Sequence, residues 1–398
     1  MNAMLTLEEA QERVLALAPQ MRIETVPVEA AIGRYLAEDL QALRTQPPAD
    51  LSAMDGYAIG GDAPGPWALV GESRAGAPFD RTLSQGETVR ISTGAHLPRG
   101  ADRVLIQENA QVTDQTVACF QDFPNALRHV RQRGFDFSKG DHVLPAGTRV
   151  GPAQLALALG AGHGTLGVRI TPKVAVLDSG DELVADPAEC ADHHIPASNG
   201  AMIGAMLAEL GCEVVRLGPV PDDHEALAFA LAKAGDADML VTTGGASVGD
   251  HDLMRPALEA WGASLDFWKV AMKPGKPIMV ATKGAQVIFG LPGNPVSSFV
   301  TCFLFVVPLV HAAMGASQPL PFRTNLTAGS TLPGIGSRRE FLRAIWDGET
   351  VRLADSQDSS ALAALAHTNC LIDRPAHAVE IEAGTLVPCL LLKNGGIA

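Results

Sequence analysis

DMLVTTGGASVGDHDLMRPALEAWG, residues 238–262, decides the fold. DMLVTTGG reads as a strand that runs into glycines, and DLMRPALEAWG reads as the helix that follows. The same unit recurs on both sides. KVAVLDSG (173–180), EVVRLG (213–218) and QVIFGLPG (286–293) are strand-like. SNGAMIGAMLAELG (198–211), DDHEALAFALAKAG (222–235) and PVSSFVTCFLF (295–305) have helical periodicity. Strands alternating with helices of this length predict a doubly wound, mostly parallel α/β domain, whose ligands bind beyond the carboxyl ends of the strands. Every glycine-rich stretch in this region falls at such an end.

Outside that region the pattern changes. TLEEAQERVLALA offers Thr6 and Glu9 as a capping box for a first helix. From 43 to about 134, the short runs WALVGES, ETVRIST, RVLIQE and QTVACF, separated by turn residues, predict a small β domain. Residues 135–170 relax into DHVLPAGTRV, an apolar helix near 152–160, and GTLGVRI. From about 318, FRTNLTAGSTL, REFLRAIW, ETVRLAD, CLIDRPA and GTLVPCLLL read as strands of a small C-terminal β domain, with SALAALAHT helical between them.

At 398 residues the chain is long enough for several domains, and 47% hydrophobic against 19% charged residues is ordinary for globular cores. A net charge of −14 weighs against nucleic acid and anionic membrane as partners, without excluding a small anion held at a local site. The six cysteines form no CxxC pair and read as thiols of a reducing compartment. The most apolar run, FVTCFLFVVPLV (299–310), falls short of the roughly 20 residues that span a bilayer, and Pro308 is expected to interrupt it. A soluble, cytoplasmic protein is the expectation.

Three loops carry the chemistry: DSGDEL (178–183), TTGGASVGD (242–250) and GLPGNPVS (290–297). Glycine lets a ligand approach backbone N–H groups, and the following helix adds unpaired donors and the positive end of its dipole. None of the three is a Walker loop or a GxGxxG dinucleotide loop. Lys273 and Lys276, in the stiff KPGKP turn, would present two ammonium groups to a phosphate. Asp181, Glu182, Asp222, Asp223, Asp250 and Asp252 follow strands of the same sheet. Carboxylates repel an anion, and a divalent cation shared with the ligand's oxygens resolves the conflict, so Mg²⁺ is the expected cofactor. Asp222 and Asp223 also suit a plain helix N-terminus. CADHH (190–194) reads as a loop, lacking a fourth ligand at usable spacing.

SAMDGYA (52–58), STGAHLPRGAD (92–102), RQRGFDFSKGD (131–141), DSGDEL, GGASVGDHD, KPGKP and GLPGNPVSS, in that order, resemble the molybdopterin molybdenumtransferase family, MoeA in bacteria and the E domain of gephyrin in animals. The resemblance covers the whole chain. It implies an L-shaped homodimer whose site is shared between subunits. Residues 1–42 with 135–170 would form a mixed, elongated dimerisation domain and 43–134 a β-rich domain. Residues 171–317 would form the molybdopterin-binding α/β domain, and 318–398 a small β-barrel-like domain. The implied reaction inserts molybdate into adenylylated molybdopterin with Mg²⁺-dependent release of AMP. Transient contacts with the adenylyltransferase and with molybdoenzyme maturation factors would follow.

Residue reading and resemblance together place catalytic roles at Asp252 and Glu182, and the resemblance alone implies them at Asp55 and Thr93, whose stretches read by themselves as turns. Substrate contacts fall to Ser247, Gly244, Gly245, Lys273, Lys276, Pro292, Asn294 and Pro295, with Arg131 and Asp136 added by the resemblance, and metal binding to Glu182, Asp222 and Asp252. Which carboxylate acts as base stays open, as does molybdate against tungstate. Asp178 departs from the family, which more often has Ser or Thr there, and the Asp250–His251 pair is a milder change. The C-terminal region keeps REFLRA and the pair Ser359–Ser360 and otherwise matches poorly. The alternatives are a molybdopterin adenylyltransferase, whose relatives look like the α/β domain alone, and a non-catalytic molybdopterin-binding scaffold.

Overall fold

The structure, a computed structural model, describes residues 4–244 and 253–392. Its central sheet has six strands in the order Glu213–Val220, Lys173–Ser179, Met239–Thr243, Gln286–Leu291, Pro277–Lys283, Ser264–Lys269. The first four run parallel, and the last two turn back as an antiparallel edge. Helices cover both faces, which is why the strand sequences are almost continuously apolar. Val174, Val176, Val241 and Phe289 enter the core on one face, and Ala175, Leu177, Leu240 and Ile288 the core on the other. The sequence reading passes over the Pro277–Lys283 strand. Its opening proline looks like part of the KPGKP turn, yet the first residue of a strand tolerates Pro. The last strand ends at Lys269, and beyond it Met272–Lys273 pairs with Arg339–Glu340 of the C-terminal domain.

Pro295–Ala313 forms one 19-residue helical segment with mean hydropathy 2.0, of whose most apolar window 78% is buried inside the protein. It is longer than the run expected from sequence, and Pro308 does not interrupt it. A π turn at Cys302–Val306 precedes the proline. The carbonyl that Pro308 has no N–H to satisfy, that of Leu304, accepts from Gln11 Nε2 at 2.9 Å in a buried contact. Gln11 sits on the first helix, Leu7–Ala16, whose Thr6–Glu9 capping box forms as expected. That helix buries Leu7, Ala10 and Val14 in the same core as Val241, Phe305 and Leu309. It therefore packs against the α/β domain, in a core that Met21 and Tyr35 of the same N-terminal segment also enter.

The strand Ile23–Pro27 pairs with Thr165–Arg169, and Leu40–Gln41 with His142–Leu144. These pairings draw the two halves of the discontinuous segment around a shared core containing Val28, Leu36, Val150 and Val168. A separate six-stranded sheet lies between them in sequence, in the order Arg103–Ile106, Gly56–Ile59, Glu87–Ile91, Trp67–Ser73, Thr116–Cys119, Ala110–Thr113. In the C-terminal region, Arg323–Ala328, Arg339–Trp346, Thr350–Leu353, Cys370–Arg374 and Leu386–Leu391 close into a five-stranded barrel.

Candidate active site

Three neighbouring parallel strands end at Ser179, Thr243 and Leu291, so their loops leave the sheet at one edge. A cleft of about 160 Å³ opens there, bounded by Asp178, Glu182, Asn199, Gly244, Gly293 and Pro295, among others. Gly244 has φ +86°, and a Cβ on it would lie 2.5 Å from the Ser179 carbonyl oxygen. Both the turn and the close approach of two loops require glycine. Asn199 Nδ2 donates to the Gly293 carbonyl at 2.6 Å, tying the Ser198–Ala208 helix to the GLPGN loop.

Asp178 holds this edge together from below. Its carboxylate is buried, accepting from the Gly200 N–H at 2.8 Å and from the Thr243 hydroxyl, and it lies 3.4 Å from Arg216 Nη2. A Cβ at Gly200 would collide with that carboxylate. Charge-assisted bonds from two elements and a guanidinium repay its desolvation. The charge that the sequence placed beside the site is thus a structural one, spent on the cleft wall.

The acidic set divides by role. Asp223 caps the His224–Lys233 helix, accepting from the N–H groups of Glu225 and Ala226. Asp181 Oδ1 accepts the Asp222 N–H at 3.0 Å, which brings the DSGDEL loop against the start of the next helix. Partial burial, followed by the charges of Asp181 and Glu182, raises the Asp222 pKa above the usual carboxylate value. Carboxylates that repel one another at the mouth of a cleft are the donor chemistry a hard divalent cation takes. Among the described residues no three ligand-type side chains are close enough to hold a metal. Glu182 and Asp222 do not by themselves make such a group, and Asp252 lies outside the described residues, as do Gly245 and Ser247.

The lysine loop meets the C-terminal barrel. Lys273 Nζ lies 3.2 and 3.3 Å from the two carboxylate oxygens of Glu340, so its charge is engaged and not simply offered to a ligand. Lys276 is exposed. Gly275, between them, packs so tightly on Thr301 that a Cβ would collide with its methyl group. Asn294, expected to contact substrate, donates from Nδ2 to the Ser359 hydroxyl at 2.9 Å. The Val296 N–H donates to the Ser359 carbonyl at 3.1 Å. Pro295 occupies the first helical position, where its missing N–H costs nothing, and the Pro292 carbonyl accepts the Ser298 hydroxyl. Beside the 356–360 loop, Arg343 is 2% exposed, with Nη2 on the Ser356 carbonyl and Nε without a partner. Burial pulls its pKa below the ordinary guanidinium value.

Four expected residues stand apart from the cleft in their own chain. Thr93 donates through both N–H (2.6 Å) and hydroxyl (3.0 Å) to Asp55 Oδ1, and these bonds hold the Asp55 pKa below the usual range. Arg131, exposed, sits in the Val130–Arg131 strand paired with Leu51–Ser52, and Asp136 is exposed on the loop that follows. None of the four lines the cleft. Sequence reasoning missed Ser359 as a cap for the GLPGN helix and Arg343 as a buried cation. Their only signal was the REFLRA stretch and the double serine.

Comparison with known proteins covers nearly the whole chain. Residues 5–162 match the model of the MoeA N-terminal region (domains I and II), 175–312 a probable molybdopterin binding domain, and 325–392 the MoeA C-terminal region (domain IV). The molybdopterin molybdenumtransferase of Haemophilus influenzae is 33% identical over 395 residues, 96% of this chain and 98% of its own. That of Bacillus subtilis is 31% identical over 407 residues, 98% of this chain and 94% of its own. A crystal structure of a molybdopterin biosynthesis MoeA protein from Pyrococcus horikosii superposes with a TM-score of 0.80 at 29% identity, covering 98% of this chain and all of that one.

Proposed function

From the membership of this chain in the MoeA family, where it is a molybdopterin molybdenumtransferase of molybdenum-cofactor biosynthesis, we propose how its own residues carry the reaction. Adenylylated molybdopterin lies in the carboxyl-edge cleft, its phosphates on the N–H groups around Gly244 and Gly293. Glu182 and Asp222 would hold Mg²⁺ together with ligand oxygens, and a cation bound there would supply charge neutralisation at the phosphoanhydride. Molybdate is taken at the junction of sheet and barrel, by Lys273, Lys276 and the buried guanidinium of Arg343. Water cleaves the phosphoanhydride and AMP leaves, while the two dithiolene sulfurs replace one oxide on molybdenum, which departs as water with the two thiol protons. The lysines and Arg343 offset the negative charge of reactants that are all anionic.

The observation that carries this reading is the meeting of three strand-end loops in one cleft lined by Glu182, with Asp222 tied to the same DSGDEL loop, where burial first and then the charges of Asp181 and Glu182 raise its pKa. An adenylyltransferase reading leaves the barrel contacts of Asn294 and Val296 with Ser359 without a purpose. Asp55, Thr93, Arg131 and Asp136 lie away from the cleft of their own chain, which supports a homodimer in which a second copy presents them. The six free cysteines suit a cytoplasmic setting. The test is AMP release from adenylylated molybdopterin, with molybdate and Mg²⁺ each withheld in turn. Release that needs both, and is lost in Glu182→Gln, is the expected result. Release indifferent to molybdate would contradict the coupling, and release indifferent to Mg²⁺ would contradict the metal role.

A further inference from the structure

The antiparallel strands Arg339–Trp346 and Cys370–Arg374 distribute their charges differently on their two faces. On one face Asp373, 1% exposed as a side chain, binds Arg339 through two contacts of 2.5 and 2.6 Å and Arg323 at 3.0 Å. One carboxylate there serves two guanidinium groups at once. On the other face Glu340 stands directly opposite Arg374. Side chains of directly opposed residues share a face, with Cα atoms about 4.5–5.5 Å apart. Yet both Glu340 oxygens point to Lys273 Nζ, while Arg374, 1% exposed, is left short of partners. Its Nη2 donates to the Pro333 and Val379 carbonyls, and its Nε and Nη1 have no partner. A buried guanidinium with two unmet donors is a costly arrangement that native structures seldom keep without reason.

The two cations on this face differ in what else can reach them. Lys273 is half exposed at the edge of the proposed molybdate site, whereas Arg374 is closed off from solvent. A dianionic oxyanion arriving at Lys273 competes with Glu340 for the same ammonium group. It would leave the carboxylate, 17% exposed, without a counter-charge unless another cation stands within reach. Arg374, opposite Glu340 in the strand register and with two unmet donors, is the cation placed to serve.

We infer that Glu340 is a shuttling counter-ion, holding Lys273 while the site is empty and turning across the strand pair to Arg374 when a tetrahedral oxyanion occupies Lys273. The inference rests on the reading that Lys273 meets the oxyanion. Glu340 is a positioning residue and touches no substrate.

The experiment is the KM for molybdate in AMP release at saturating adenylylated molybdopterin and Mg²⁺, for wild type, Glu340→Gln, Arg374→Met, the double variant and Lys273→Met. Glu340→Gln frees Lys273 and lowers the molybdate KM about threefold, the scale of a half-exposed ion pair, with kcat little changed. Arg374→Met strands the carboxylate on Lys273 and raises the KM about tenfold, and the double variant returns to the Glu340→Gln value. Should Arg374→Met fail to fold, Glu340→Gln decides alone. A raised KM in Glu340→Gln, alongside a raised KM in Lys273→Met, means that Glu340 merely steadies Lys273, and overturns the shuttle while leaving the site reading intact. An unchanged KM in Lys273→Met removes the site reading and the shuttle with it.

Discussion

The GLPGN helix is held from two sides by opposite means. On the sheet side, Gly293 is fixed by Asn199 from the neighbouring helix, and Gly244 turns at φ +86° against the Ser179 carbonyl. That wall presents backbone groups at the strand ends, braced by the Asn199 amide and the buried Asp178 carboxylate, whose charge is already committed to Gly200 and Thr243. On the barrel side, Ser359 reaches across 65 residues to Asn294, Glu340 across 67 to Lys273, and Arg343 is buried beside the same loop. That wall is made of side chains delivered by tertiary packing. On the proposed function, the difference separates two jobs. A phosphate is bound by rigid N–H groups that need no side chain, whereas an oxyanion that must arrive and depart is better met by charged groups that can exchange partners.

The comparison breaks most severely on the sheet side. Gly244→Val adds strain at positive φ and a clash with Ser179, and is expected to lower kcat/KM at least about a hundredfold, through loss of ligand binding seen by calorimetry. Gln11→Leu sharpens the contrast by disturbing neither wall. It leaves the Leu304 carbonyl buried without a donor and should lower unfolding free energy by about 1–3 kcal/mol in denaturant titration, with kcat of the folded enzyme unaltered. Asn294→Ala tests the barrel side. Removing one neutral hydrogen bond while the Val296–Ser359 backbone bond survives predicts a loss of about three- to tenfold in kcat/KM. A loss as large as that of Gly244→Val would put both walls on an equal footing. The smallest effect belongs to Thr93→Val, outside both. Asp55 is held below its ordinary pKa by the Thr93 N–H and hydroxyl, so its contribution to stability is present at neutral pH. That contribution is lost as pH falls through the folded-state value. Losing the hydroxyl moves the Asp55 pKa upward and shrinks that acid-sensitive contribution, read by NMR titration of the Asp55 carboxyl carbon.

The same division explains what the sequence made legible. Parallel strands buried on both faces write themselves as apolar runs, and the loops at their ends as glycines, so the sheet edge at Ser179, Thr243 and Leu291 was readable in advance. The Thr6–Glu9 capping box and the Asp223 cap were readable for the same local reason. Pairings over long separations leave no such trace. Nothing near Pro308 announces that Gln11 will satisfy Leu304, and Pro277 disguises a strand as the end of a turn. Asp178 was visible as an extra charge near the site. Only the fold shows it bonded to Gly200 and Thr243 and therefore withdrawn from the ligand. The stiff KPGKP turn already offered Lys273 to an anion, and the structure adds that Glu340 holds it.

The central claim is that sheet edge and barrel together make the oxyanion site. Anomalous diffraction at the molybdenum edge, from crystals grown with molybdate, tests it directly. A peak among Lys273, Lys276 and Arg343 is the predicted result. A peak at the opposite edge of the sheet, in the cleft between Arg22 and Lys283, would contradict it.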